Sequence, residues 1–317
     1  MATAERGRCG WGTPPPVNSS EELERRLRSA DIEAAVEIPP KYGRDLAAGR
    51  SPEIGVWIDG SMPFHGETIR RYVQTLAATG LGSAEAAERY LDPEAAQIAS
   101  AASNVNFETR LRYNQSFESI VAEVPNVIML VLILIPAVLA TIGVVREKEN
   151  GSIANFYSTP ITKFEFLFGK QLPYIAVSMI SFVLLLLLCV FLFHVPVKGS
   201  LAALLLGTLL YVGAATGFGQ LVSTFTKTQV AAVFATTVIS IIPAANFSGV
   251  LVPVSSLTGP ARLAGLGFPS AWYELVSVGT ITKGLGFQDL WVNLLVLAAF
   301  FVAFGFAAVL ILKKQER

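Results

Sequence analysis

Charge is what this chain has least of. Asp, Glu, Lys and Arg make up 15% of its 317 residues, against about 25% in an ordinary soluble domain. Most of them precede Glu123, and beyond that point they occur in short clusters between long apolar runs. The formal net charge is +0, which excludes a basic surface for nucleic acid. Cys9 and Cys189 are the only cysteines, one in a Gly/Pro-rich leader and one inside an apolar run. That rules out a cysteine metal site and makes a disulfide between them implausible. His65 and His194 are far apart in sequence, so neither is read as a ligand. The opening MATAERGRCGWGTPPP has a positive start but no apolar core, so no secretory signal is visible. No GxxxxGK[ST] occurs, and Gly169-Lys170 lacks the upstream glycine loop, so the chain has no P-loop of its own. The longest apolar runs hold no Asp, Glu, Lys or Arg. That absence argues against a proton- or sodium-coupled carrier and removes intramembrane protease chemistry.

What is present is apolar length. The chain is 52% hydrophobic with a mean hydropathy of +0.53. About five runs can cross a bilayer: 125–145, 172–193, 201–222, 229–252 and 290–312. The fold class is therefore an α-helical multi-pass membrane domain, residues 125–317, preceded by a small extracytoplasmic α/β domain, residues 19–124, behind a disordered leader, 1–18. In the α/β domain, S-S-E-E at 19–22 starts a capped helix, and 34–38 and 54–59 read as strands. Ser61 and Pro63 start a helix with Ile69, Tyr72, Val73 and Leu76 on one face. Residues 85–102 are helical by propensity, and 107–113 alternate like a strand. Asp59-Gly60-Ser61 reads as a turn and helix cap, and Glu108, Arg110 and Arg112 as a solvated strand face.

Lys and Arg in the short loops orient the membrane domain. Arg146, Lys148, Lys163, Lys170, Lys227, Lys313, Lys314 and Arg317 fall on one side; the other has Lys198, Arg262 and Lys283. The first side is expected to be cytoplasmic, with the C-terminus there and the α/β domain outside. Either the first apolar span acts as a reverse anchor for that domain, or a transmembrane helix precedes it, and the second is expected.

The organising stretch is 146–170, REKENGSIANFYSTPITKFEFLFGK, a charged interruption between two spans. Ile153, Phe156 and Tyr157 at i, i+3, i+4 would give a short helix one apolar stripe, from Gly151-Ser152 to Pro160. Such a helix lies on the membrane surface or docks into another protein. In the third run Gly213 and Gly217 have GxxxG spacing, a face for packing within the subunit or a dimer seam. In the fourth, Thr236, Thr237, Ser240 and Asn246 either bond between helices or line a substrate path. Residues 253–289 fit no single span. They read as short helices dipping into the outer leaflet, with Trp272, Tyr273 and Trp291 at interfacial depth.

Together these motifs resemble the membrane subunit of ABC-2-type exporters. That family's R-E-K/R-E-x-G-T/S, T-P and G-K elements are matched by Arg146-Glu147-Lys148-Glu149-Asn150-Gly151-Ser152, Thr159-Pro160 and Gly169-Lys170. Phe268-Pro269 and Lys283-Gly284 look like the family's outer-leaflet segment. The stretch 38–61 resembles the long-loop branch, especially the membrane half of fused ribosome-associated-ATPase-like transporters. The resemblance covers 19–317. It implies a first transmembrane helix that 1–18 does not supply, so the chain is expected to be part of something longer.

The resemblance further implies an efflux permease of the bacterial inner membrane with no catalytic site. ATP and Mg would be bound by a partner nucleotide-binding subunit or fused domain. A second permease copy or homologue, membrane lipid and a periplasmic adaptor are the other expected partners, and no nucleic acid. The residues around 151–160 would form the coupling helix: Ile153, Phe156 and Tyr157 filling an ATPase groove before Pro160, with Gly151 at its start and Arg146, Glu147 and Glu149 setting register. A non-transporting receptor or assembly scaffold with an external sensory domain is the alternative.

Overall fold

In the computed structural model the described residues are 16–17, 19–29, 32, 34–47, 53–60, 63–79, 106–112, 119–151, 162–251, 254, 257 and 259–312. The expected helix over 85–102 lies outside them, as does the expected coupling helix near 151–160 except for Gly151, with Ile153, Phe156, Tyr157 and Pro160.

The α/β part runs α1 (Ser20–Arg28), β1 (Ala34–Glu37), α2 (Tyr42–Ala47), β2 (Glu53–Asp59), α3 (Pro63–Thr79) and β3 (Asn106–Arg112). Ser19 accepts the Glu22 amide at 3.1 Å and starts α1, as a serine N-cap does. The strands form one sheet in the order β1-β2-β3. Ala34 pairs with Ile58 antiparallel, and Ile54 with Phe107 parallel. Along β2, Ile54, Val56 and Ile58 point into the core. On α3 the expected apolar face is incomplete, because Tyr72 is 65% exposed.

Among the described residues five helices are long and apolar enough to cross a membrane. They are α4 (Ser119–Glu149), α5 (Lys163–Phe191), α6 (Leu201–Phe225), α7 (Gln229–Asn246) and α10 (Phe287–Ile311). Their ends depart from the apolar runs. Helix α4 continues through Arg146, Glu147 and Glu149, and α5 begins at Lys163 behind a Thr162–Glu165 capping box. Hydropathy marks where a span meets water, whereas Glu and Lys are good helix formers and extend the helix past that point. Helix α7 stops at Asn246 instead of running to 252, and the turn after it contains Gly249 at φ +113, a conformation that favours glycine.

Helix α6 is the hub, packed against both α4 and α10. Sixteen of its 25 residues are buried, as expected of a helix ringed by others rather than by lipid. Between α7 and α10 the chain forms α8 (Pro260–Leu266), α9 (Pro269–Val278) and a π-turn (Gly279–Lys283). No span fits there, as read from the sequence. One detail is corrected: Tyr273 is not at an interface but fully buried, stacked on Tyr211 with ring centroids 4.1 Å apart. Its hydroxyl is 2.9 Å from Thr208 Oγ1, and that of Tyr211 is 2.8 Å from Ser270 Oγ. A tyrosine satisfies its hydroxyl as well inside a polar network as in headgroups.

Candidate functional site

Polar chemistry is concentrated at the two ends of the bundle. At the end where α4 finishes and α5 starts, the expected register residues are engaged within the chain. Glu147 pairs with Lys170, whose Nζ also donates to the Gly143 carbonyl at 2.8 Å. Glu149 accepts the Gln229 backbone amide at 2.8 Å and its side-chain amide. Lys148 Nζ donates to the Thr224 and Thr226 carbonyls at 3.2 and 3.4 Å, and Lys163 to the Leu312 carbonyl at 2.6 Å. Arg146 differs. It is exposed, and its side chain has no hydrogen-bond or ion-pair partner among the described residues, while its carbonyl accepts the Asn150 amide at 3.1 Å. Gly151, at φ +70, turns the chain away from α4 with open space around it.

Sequence reasoning missed two side chains here. Phe164 and Phe168 are 58% and 38% exposed and stacked at 5.4 Å on the first turns of α5. Their i, i+4 spacing was the signal, masked by the surrounding charges.

In the middle of the bundle, Gly213 and Gly217 are buried by α10 of the same chain. A methyl at Gly213 would meet the Phe301 ring, and one at Gly217 the backbone of Gly305. The polar residues of α7 do not share one face. Thr236 is buried, 3.0 Å from Thr141 Oγ1. Thr141 lies 2.7 and 2.8 Å from the Ala137 and Gly219 carbonyls. Its one proton goes to those acceptors, so Thr236 is the donor in the hydroxyl pair. Ser240 is buried one turn on, its Oγ without a partner. Thr237 is half-buried, and Asn246 is exposed, bonding back to the Ile242 carbonyl.

At the opposite end the structure joins residues that no local pattern connected. Lys283, in the π-turn, pairs with Asp59 at 2.6 Å, their side chains 3% and 5% exposed. Lys283 Nζ also donates to the Leu27 carbonyl at 2.9 Å, so it joins the π-turn to both β2 and α1. Asp59 is therefore more than a turn residue: it holds the membrane domain. Glu274 on α9, outside the five spans, is buried with Oε1 unpartnered. Burial pushes its carboxyl up to about 8, with Lys283 opposing and Asp59 adding to the shift. Neutralising the acid is the less costly outcome when a carboxyl has no hydrogen-bond donor. Lys283 also lines a cleft of about 490 Å³ between α1 and the start of α10, with Leu275, Leu290, Arg25 and Asp289 on its walls. Among the described residues no group of three or more His, Cys, Asp or Glu is placed to hold a metal ion.

Residues 13–310 match the family described as ABC-2 family transporter protein. Inner membrane transport permease YhhJ of Escherichia coli (strain K12) is 27% identical over 310 residues, covering 96% of this chain and 79% of YhhJ. Probable multidrug ABC transporter permease YbhS of the same strain is 26% identical over 258 residues, covering 81% of this chain and 66% of YbhS. Probable multidrug ABC transporter permease YbhR is 22% identical over 241 residues, covering 76% and 62%. No solved structure matches.

Proposed function

The chain belongs to the ABC-2 transporter family, and from that premise we propose that it is the permease subunit of an ATP-driven exporter of amphipathic compounds. Permease membership carries the reading. The family implies an ABC ATPase partner, and the end of the bundle bearing Arg146, Lys148, Lys163, Lys170 and Lys227 is where that partner docks. The positive-inside rule puts this end in the cytoplasm. The other end supports the same orientation, since Lys283 there is neutralised by Asp59. The α/β domain then lies outside.

The docking element is the segment 152–161, with Ile153, Phe156 and Tyr157 entering a groove on the ATPase. Arg146 is free to meet an acidic rim there, and the exposed Phe164–Phe168 pair extends the apolar surface. ATP and Mg belong to that partner, not to this chain. A second permease copy completes the translocation path. Amphipathic cargo fits the cleft beside Lys283, which combines leucine walls with Arg25 and Asp289. A multidrug role for the relative YbhS agrees with that class.

Co-purification tests the reading. A P-loop ATPase should come down with the chain and be lost when Phe156→Ala and Tyr157→Ala are combined. Stable membrane insertion with no such ATPase would favour the receptor or scaffold instead.

A further inference from the structure

We propose that the charged residues flanking 152–161 lash all five spans together, so that a push on this segment reaches each span directly, with Glu149 positioning α7. The inference rests on the docking reading above. Five helices need at least four connections to move as one frame, and four are present at this end. Lys170 joins α5 to α4 through the Gly143 carbonyl and Glu147. Lys148 joins α4 to α6 through Thr224 and Thr226. Glu149 joins α4 to α7 through both amides of Gln229. Lys163 joins α5 to α10 through Leu312. Every connection starts from a residue within the last turn of α4 or the first eight residues of α5, the two helices that the segment links.

The signs of the charges follow from the helix ends they meet. Thr224, Thr226 and Leu312 present carbonyls left over at the C-terminal ends of α6 and α10, where a helix is partially negative. Lysines serve those ends. Gln229 is the first residue of α7, where unpaired amides make the end partially positive, and a glutamate serves it. Lys148, Lys163 and Glu149 thus each cap a helix other than their own, while Lys170 ties α5 to α4 through the Gly143 carbonyl and Glu147. A solvated face carrying the same charges would have no reason to match sign to neighbour in this way. On α7 much of the outward surface is apolar side chain facing away from the bundle: Val230, Phe234, Val238 and Ile242 are exposed.

The test uses the full chain in proteoliposomes with its co-purified ATPase, carrying one reporter cysteine after replacement of Cys9 and Cys189 by alanine. Val127→Cys reports on α4 and Ile242→Cys on α7. The readout is the rate of reaction with a water-soluble maleimide, with and without ATP and vanadate. In the parent both rates should change on ATP trapping. Glu149→Ala should keep the ATPase bound and the α4 response intact while cutting the α7 response about threefold or more. Glu149→Gln, which still accepts the Gln229 amide, should restore it. A purely structural defect would lower both responses and would not be rescued. An unchanged α7 response in Glu149→Ala, or no response in an ATPase-bound parent, overturns the inference. Failure of the ATPase to co-purify with the parent overturns the docking reading instead.

Discussion

At the end of the bundle near 152–161, lysines reach carbonyls from half-exposed positions, and Glu147 and Lys170 stay 32% and 25% exposed in their pair. At the other end Lys283 and Asp59 are sealed at 3% and 5% exposure, with a buried glutamate beside them. The two ends use the same residue types with different energetics. A half-exposed pair contributes about 0–1 kcal/mol and can be exchanged against water. A buried pair is costly to assemble but far more costly to break from one side, because the surviving charge is left stranded. The first arrangement suits ties at a water-exposed surface that a partner can reach, and the second suits a latch.

The comparison orders the expected effects of mutation. Lys283→Met should be the most damaging, destabilising the docking of the α/β part by about 3–5 kcal/mol, because Asp59 stays buried without its cation. Thermal unfolding in detergent measures this, and Asp59→Asn combined with Lys283→Met should recover part of the loss. A loss under about 1 kcal/mol would show that water reaches the pair and that the two ends are alike.

Glu274 comes next. Its carboxyl titrates near 8 when folded, against an ordinary value of 4.5, so the folded state holds the extra proton between those values. The stability it contributes is fully present below about 4.5 and is lost as pH rises through about 8, at no more than about 1.4 kcal/mol per pH unit. Melting temperature measured across that range should fall with pH, and Glu274→Gln should flatten the profile. A wild-type profile already flat would mean that Glu274 is hydrated.

Lys148→Met should cost about 1–2 kcal/mol, since it removes charged hydrogen bonds to the end of α6 without stranding a buried charge. Smallest of all, Glu147→Gln should change stability by less than about 1 kcal/mol, and added salt should erase the difference. If Glu147→Gln proved as harmful as Lys283→Met, the contrast between the ends would fail.

Much of this was readable beforehand, for reasons tied to particular residues. The spans were visible because a bilayer demands long apolar runs. Ser19 announced α1 through local capping chemistry, and 54–59 was read as the strand that β2 forms. The segment 253–289 was read as non-spanning from its prolines and glycines. Helix ends were misjudged at Glu149, Lys163 and Asn246 because hydropathy reports solvent and not hydrogen bonding. The polar residues of α7 looked like one set, but Thr236 and Asn246 face different surroundings once α4 and α6 are in place.

The sequence by itself determined the class: a multi-pass membrane domain whose apolar runs carry no charge, since composition and periodicity are local properties that a bilayer reads directly. Only the tertiary structure decided what those charges do. Lys283 lies 224 positions from Asp59 by number, and Glu149 lies 80 from Gln229. An electrostatic partner is chosen by distance through space and by shared burial, and neither quantity is written in the order of residues along the chain.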